Sequence, residues 1–345
     1  MHIPDGYLSP ATAAAMYAAS LPFWYRATRK TKTLLTGRAV PLIALLAAFS
    51  FVIMMFNVPL PGGTSGHAVG SALAAIVLGP WAAMLAVTVA LIIQAFFFGD
   101  GGILAIGANA FNLAIVMPLV AFYLYRWLSG NAAVTAQRRV AAAAIAGYVA
   151  INLAALLTAI ELGIQPIFFR DAAGFALYFP YGLQVAVPAM LLGHLTIAGA
   201  VEALVTGLVL TWLQRTNPQV LEAYSGVKSS AGGARVSRRA WAGLLALVVL
   251  APIGLFAPGT AWGEWSREEL QQMGLGYIPA GFDRWSSLWN APLSGYDLPL
   301  LDNAAAGYWL SAVLGVVLVF AIFLGVAWVM QRIGSKTRVA ADENG

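Results

Sequence analysis

The 345-residue chain contains no cysteine. Disulfides, thiolate metal sites and cysteine nucleophiles are excluded together, so any metal must be held by nitrogen or oxygen. Charge is also scarce. Asp, Glu, Lys and Arg make up 10% of the residues, against about 25% in an average soluble domain. Hydrophobic residues make up 60%, and the mean hydropathy is +0.79. This balance describes a multispanning membrane protein. No G-x-x-x-x-G-K-[ST] phosphate loop occurs, and "GSKT" at 334–337 lacks both the Gly-Lys pair and the spacing. The chain is therefore not expected to hydrolyse ATP itself. Histidine is limited to three positions, His2, His67 and His194. The opening "MHIPDGYL" has neither the basic stretch nor the small-residue cleavage site of a secretory leader, so this end is expected to be kept.

A span needs about 20 apolar residues to cross about 30 Å of hydrocarbon. Apolar runs predict an all-α, polytopic membrane helix bundle with spans near 9–25, 40–57, 66–79, 81–98, 103–126, 140–161, 182–213, 240–256 and 307–331. The third and fourth are separated by only "PW", which also fits a hairpin or a partly re-entrant pair. Five Lys and Arg lie in 26–39, three in 126–139, five in 214–239 and three after 331, sixteen of the nineteen on one side. The positive-inside rule makes that side cytoplasmic. Alternation then puts the N-terminus, the 99–102 turn and the 257–306 loop outside and the C-terminus inside. The 257–306 loop carries six acids (Glu264, Glu268, Glu269, Asp283, Asp297 and Asp302) and two arginines, in keeping with that side. Residues 214–239, rich in Ser, Gly and Ala, read as a cytoplasmic linker. It divides a seven-span module, 1–213, from a module of two spans and an exterior loop, 240–345.

The N-terminus offers three nitrogens to one metal: the Met1 amine, the His2 main-chain nitrogen and His2 Nδ1. They close a five- and a six-membered chelate ring, and peptide planarity holds the first two nearly coplanar with the metal. His67, in "PGGTSGHAVG", can fill the fourth in-plane position. Four nitrogens in a plane suit Ni(II) and Cu(II). The amine and amide must lose protons, so binding weakens as pH falls. Gly62, Gly63 and Gly66 permit a tight turn and close backbone approach. "PDG" at 4–6 is a turn signal that folds the terminus back. Metal-bound imidazoles usually donate their second nitrogen to an oxygen, and Thr64, Ser65, Asn109 and Asn112 are the candidates. His194, inside a span, reads as a packing residue rather than a ligand. Glu161, near an exterior end, is expected to lie within reach of water and Glu202 to pair or face protein, and both read as helix-packing residues rather than ligands. Trp262, Trp265, Trp285 and Trp289 predict that the 257–306 loop folds into a lid that docks on the first module.

"MHIPDGYLSP" at 1–10, "GGTSGHAVG" at 62–70 and "GDGGILAIGANAFNLAI" at 99–115 resemble the CbiM/NikM family, the substrate-binding component of nickel and cobalt energy-coupling-factor transporters. "APIGLFAPGTAWGEWS" at 251–266 and "GYIPAGF" at 276–282 resemble the small NikN component. The resemblance implies a metal site made of the Met1 amine, the His2 amide, the His2 ring and the His67 ring. It implies Ni(2+) as transported substrate, with Co(2+) open. It also implies partners: a transmembrane coupling protein similar to NikQ or CbiQ, and cytoplasmic ATPase subunits similar to NikO or CbiO. The residues leave three competing readings: a cobalt-specific subunit for cobalamin synthesis, a passive metal channel and an intramembrane metalloenzyme.

Overall fold

The computed structural model describes residues 1–35, 39–61, 63–222, 236–257, 259–298 and 300–342. Gly62 and residues 223–235, half of the expected linker, lie outside the described residues. The elements run α1 Pro10–Leu35, α2 Val40–Met54, β1 Val58–Leu60, β2 Thr64–Gly66 and α3 Ser71–Leu78. They continue with α4 Pro80–Phe98, α5 Ile106–Ser129, α6 Gln137–Phe168 and α7 Leu183–Thr216. The short α8 Gln219–Glu222 follows. Then come α9 Arg238–Phe256, α10 Arg267–Gln272, α11 Ala280–Trp285 and α12 Ala304–Asp342.

Among the described residues, α4, α5, α6, α7, α9 and α12 are long and apolar enough to cross a membrane. The protein is a polytopic all-α membrane protein. The α1 helix has 26 residues, but Arg26, Arg29, Lys30 and Lys32 occupy its C-terminal half. At 15 residues α2 is shorter than a standard span, yet nearly all of its side chains are buried.

The expected span at 66–79 is not present as a crossing helix. Residues 64–66 pair with Val58–Leu60 in an antiparallel hairpin, and the helix that follows has only eight residues. At 1.5 Å per residue it reaches about 12 Å, well short of the hydrocarbon thickness. All eight of its residues are buried, so α3 is a half-helix inside the bundle, the re-entrant alternative. Gly70 (φ 72°) and Gly79 (φ 78°) bracket it in backbone that β-carbons resist, which is why the apolar run stops and reverses there.

The 257–306 segment is folded rather than extended. A reciprocal capping box between Ser266 and Glu269 starts α10. The segment is fastened to the first module along two edges. Ser65 bridges to Ala261, Gly281 N donates to Leu177 O at 2.7 Å, Leu293 N to Phe97 O at 2.9 Å, and Trp289 Nε1 to Phe96 O at 2.8 Å. Trp262 and Trp265 pack edge-on and stacked, respectively, on Phe179. Tyr7 joins this aromatic cluster at 5.6 Å from Phe179 and donates to Trp265 O at 2.8 Å.

Below that lid, α12 packs on α2 at Gly315, where an added Cβ would overlap the ring of buried Phe51. Overpacking of this kind costs about 1–3 kcal/mol. Gly325, on the same helix, has open space around it. Gly315→Ala is therefore expected to lower the thermal unfolding midpoint in detergent, and Gly325→Ala to leave it equal or raise it. Equal midpoints for the two variants would remove this packing account.

Candidate metal centre

The first nine residues thread into one end of the bundle instead of trailing from it. Met1 is 4% exposed, and His2 and Ile3 are 1% exposed. Their main chain is held at several points. Asn109 clasps Ile3 with both ends of its amide: Ile3 N donates to Oδ1 at 2.8 Å, and Nδ2 donates to Ile3 O at 3.1 Å. Gly102 N also donates to Ile3 O, at 2.9 Å. The Asp5 carboxylate accepts from Ile103 N at 2.9 Å and Leu104 N at 2.8 Å, just before α5. Burial pushes Asp5 above the usual aspartate value, and the amide donors only partly offset it. Gly6, at φ 89°, makes the turn that sends the chain out again to α1.

The three terminal nitrogens each meet a carboxylate oxygen. The Met1 amine donates to Glu264 Oε1 at 2.7 Å, and His2 N donates to the same oxygen at 2.9 Å. His2 Nδ1 lies 2.9 Å from Asp100 Oδ1, but off the line of a hydrogen bond, and both ring nitrogens of His2 are buried without a hydrogen-bond partner. The His67 ring stacks on the His2 ring, with centroids 5.0 Å apart and planes at 23°. Imidazole nitrogens bind metals at about 2.0–2.1 Å, so rings this close can share one ion.

His67 is positioned from both sides of its loop. The β1–β2 hairpin ends at Gly66, and Glu202 on α7 accepts from Val69 N at 2.7 Å and Gly70 N at 3.2 Å. The Nδ1 of His67 sits 3.1 Å from Ala68 O, which favours the tautomer with the proton on Nδ1 and the Nε2 lone pair free to ligate. Burial, followed by the neighbouring His2, holds the His67 ring well below the ordinary histidine value, so it is neutral and ready to ligate.

Asp100 lies in the turn between α4 and α5 and is braced from the second module. Tyr296 Oη donates to its Oδ2 at 2.5 Å, Gln94 Nε2 reaches the same oxygen at 3.2 Å, and Gln94 also donates to Tyr296 Oη at 2.9 Å. Burial alone would raise Asp100. Contact with His2 and with the Tyr296 hydroxyl outweighs burial and holds the carboxyl below the usual range. Among the described residues no group of three or more His, Asp or Glu side chains is arranged as a metal cage. The candidate centre is instead half main chain: an amine, an amide and two rings, ringed by Glu264 and Asp100. These donors fit a borderline dication that prefers nitrogen.

The other candidate residues take different places. Thr64 Oγ1 donates to Thr260 O at 2.7 Å, and Ser65 N donates to the same carbonyl at 3.3 Å, so both meet the docked loop. Asn109 grips the Ile3 main chain. Asn112 Nδ2 donates to Glu161 Oε2 at 2.9 Å and Thr158 Oγ1 at 3.1 Å. Glu161, expected to reach water, is 7% exposed and buried against that amide. Glu202 pairs with main-chain amides, as above. His194 Nδ1 lies 2.8 Å from Met190 O within its own helix. Sequence reasoning missed Glu264, Asp100 and Tyr296. The signal available for Asp100 was a lone acid beside the glycines of "GDGG"; Glu264 and Tyr296 sit far along the chain, and only the docking of the loop brings them here.

Residues 2–220 match the CbiM family, described as a cobalt uptake substrate-specific transmembrane region, and residues 237–332 match the PDGLE domain. The fused nickel transport protein NikMN of Rhodobacter capsulatus is 52% identical over 335 residues, 93% of this chain and 95% of that protein. The cobalt transport protein CbiM of Geobacter sulfurreducens is 31% identical over 269 residues, 77% of this chain and 74% of that protein. A crystal structure of a transition metal transporter superposes with a TM-score of 0.59 at 53% identity, covering 66% of this chain and 98% of that chain.

At Gly102 a Cβ would overlap the Asp5 side chain and main chain. Gly102→Ala is thus expected to dislodge residues 1–5. Faster labelling of the Met1 amine by an amine-reactive reagent, read by mass spectrometry of the N-terminal peptide, checks this; wild-type labelling rates in the variant would refute it.

Proposed function

The chain belongs to the CbiM family and carries a PDGLE domain behind it, and on that premise we propose that it captures the metal for an ATP-driven nickel uptake transporter. One observation carries the reading. The Met1 amine, the His2 amide and the His2 ring converge, each against a carboxylate oxygen, beside a neutral His67 ring. Ni(2+) replaces protons at these nitrogens and completes a four-nitrogen plane with His67. Asn109 supports that plane by holding the N-terminus, and Thr64 and Ser65 by holding the lid; Asn112, on Thr158 and Glu161, braces the helices behind it.

The exchange is balanced in charge. Binding removes one proton from the amine and one from the amide, and the incoming dication replaces both charges. Asp100 and Glu264 then face a centre with the same net charge before and after loading, so a buried site accepts the ion without leaving an uncompensated charge.

Uptake needs partners that this chain lacks. A NikQ- or CbiQ-like coupling protein and NikO- or CbiO-like ATPases supply the power stroke; this chain is the substrate-specific subunit rather than an enzyme. In the inner membrane of a bacterium its N-terminus and lid face outward and its C-terminus faces the cytoplasm, as the distribution of Lys and Arg supports. Residues 1–213 bind the metal, 214–239 link, and 240–345 supply the lid. Co(2+) is the second reading, favoured by the cobalt transport proteins among the relatives.

Acetylation of Met1, or one residue added before it, is expected to abolish Ni(2+) binding measured by calorimetry on the full chain. His67→Ala is expected to weaken binding strongly, and His194→Ala to leave it nearly intact. Undiminished affinity after acetylation would remove the terminal chelate. Because binding releases about two protons while His67 is already neutral, affinity is expected to fall by up to about a hundredfold per unit as pH is lowered. A flat profile between pH 8 and 6 would contradict the amine and amide as ligands.

A further inference from the structure

A polar cavity of about 460 Å³ lies between the N-terminal turn, the α4–α5 turn and the docked loop. Its walls include Asp5, Gly102, Glu264, Glu269 and Ser286. Three of these are carboxylates, and two are tied on both oxygens to groups outside the metal centre. Asp5 accepts from Ile103 N and Leu104 N. Glu269 accepts from Ser266 N at 2.7 Å and from Thr260 Oγ1 at 2.7 Å. Glu264 differs. Its side chain is 20% exposed, it lines the cavity, and its Oε1 reaches inward to the two main-chain nitrogens of the metal centre.

That inward contact sets a steric condition. A metal bound to both the Met1 amine and the His2 nitrogen must lie about 2 Å from each. Glu264 Oε1 stands 2.7 and 2.9 Å from the same two atoms. The oxygen and the ion therefore claim the same space. Loading requires the carboxylate to leave it, and the cavity is the space beside it that can take the side chain.

Resting on the function proposed above, we infer that Glu264 is the first ligand of the incoming ion and the residue that hands it to the N-terminus. A hydrated divalent transition-metal cation enters the cavity and exchanges a water for a Glu264 oxygen, one oxygen ligand for another, before it meets the nitrogens it prefers. Once the carboxylate turns to the ion it no longer holds the two N–H groups. Metal–nitrogen bonds then form at Met1 and His2 as the last waters leave, and the two displaced protons pass to solvent through the cavity. The net charge is the same before entry and after loading, because one dication has come in and two protons have gone out; between the two, the Glu264 carboxylate faces the ion's extra charge. The second module thereby acts on loading through one side chain, and Glu264 is a positioning residue that is absent from the final nitrogen plane.

The test is the rate of loading. Full-length wild type, E264Q, E264A and E264D are reconstituted in lipid nanodiscs and mixed with NiCl2 in a stopped-flow instrument. The visible absorption of the planar nickel–nitrogen centre is the readout. Charged side chains at a cleft mouth change on-rates by tens to hundreds of fold. E264Q and E264A are expected to load at least about tenfold more slowly, to reach a final spectrum identical to wild type, and to be rescued in part by E264D. On-rates within about twofold of wild type in both E264Q and E264A would overturn the inference. So would an altered final spectrum, which would make Glu264 a ligand of the finished site. Failure of the wild type to develop the nickel spectrum, or an unchanged spectrum in His67→Ala, would instead sink the underlying reading of function.

Discussion

A charged amino terminus is buried at the end of this helix bundle, and the Glu264 carboxylate is what makes that tolerable. Moving an unpaired ammonium out of water costs several kcal/mol even after the protein relaxes around it. The Met1 amine meets that cost with a 2.7 Å contact to Glu264, and the same oxygen satisfies the next main-chain N–H. Much else in the fold holds these few atoms still. Asn109 clasps Ile3, Asp5 ties the next turn to residues before α5, and Tyr7 reaches the loop that carries Glu264. Removing the lid would leave the amine without its counter-charge.

The same arrangement sets charge against charge in a buried place. Glu264 meets the Met1 amine and the His2 N–H, and Asp100 lies against the His2 ring, kept ionised by His2 and the Tyr296 hydroxyl in spite of its burial. The groups that meet here are main-chain nitrogens as much as side chains, and no cluster of three or more His, Asp or Glu side chains suited to a metal occurs among the described residues.

Much of this was legible in the sequence. Low charge and long apolar runs announce a membrane bundle, because 1.5 Å per residue and the hydrocarbon thickness leave few alternatives. His2 behind Met1 places three nitrogens at chelate spacing, since that spacing is fixed by covalent geometry. The tryptophans of 257–306 announced a folded, docked loop, and Trp262 and Trp265 pack on Phe179. The short α3 was harder to read: "HAVGSALAAIVLG" has the composition of a span, and only the positive φ of Gly70 and Gly79 shows where it stops. Glu161 packs between helices, as its place in an apolar run suggests, but its partner was not legible because Asn112 lies forty-nine residues away in the chain.

By itself, then, the sequence determined what is local: helical spans, the absence of thiolate chemistry and of an ATPase loop, and the three nitrogens of one terminal dipeptide. Tertiary structure decided what is distant. Glu264 lies 263 residues from Met1, and Tyr296 lies 196 residues from Asp100. Nothing in the spacing of such residues encodes their meeting; it follows from the docking of one module's loop over the other's open end. The reason is physical. Covalent geometry and helix period act between near neighbours, whereas the burial of a charge is settled by whichever opposite charge the folded chain brings to it.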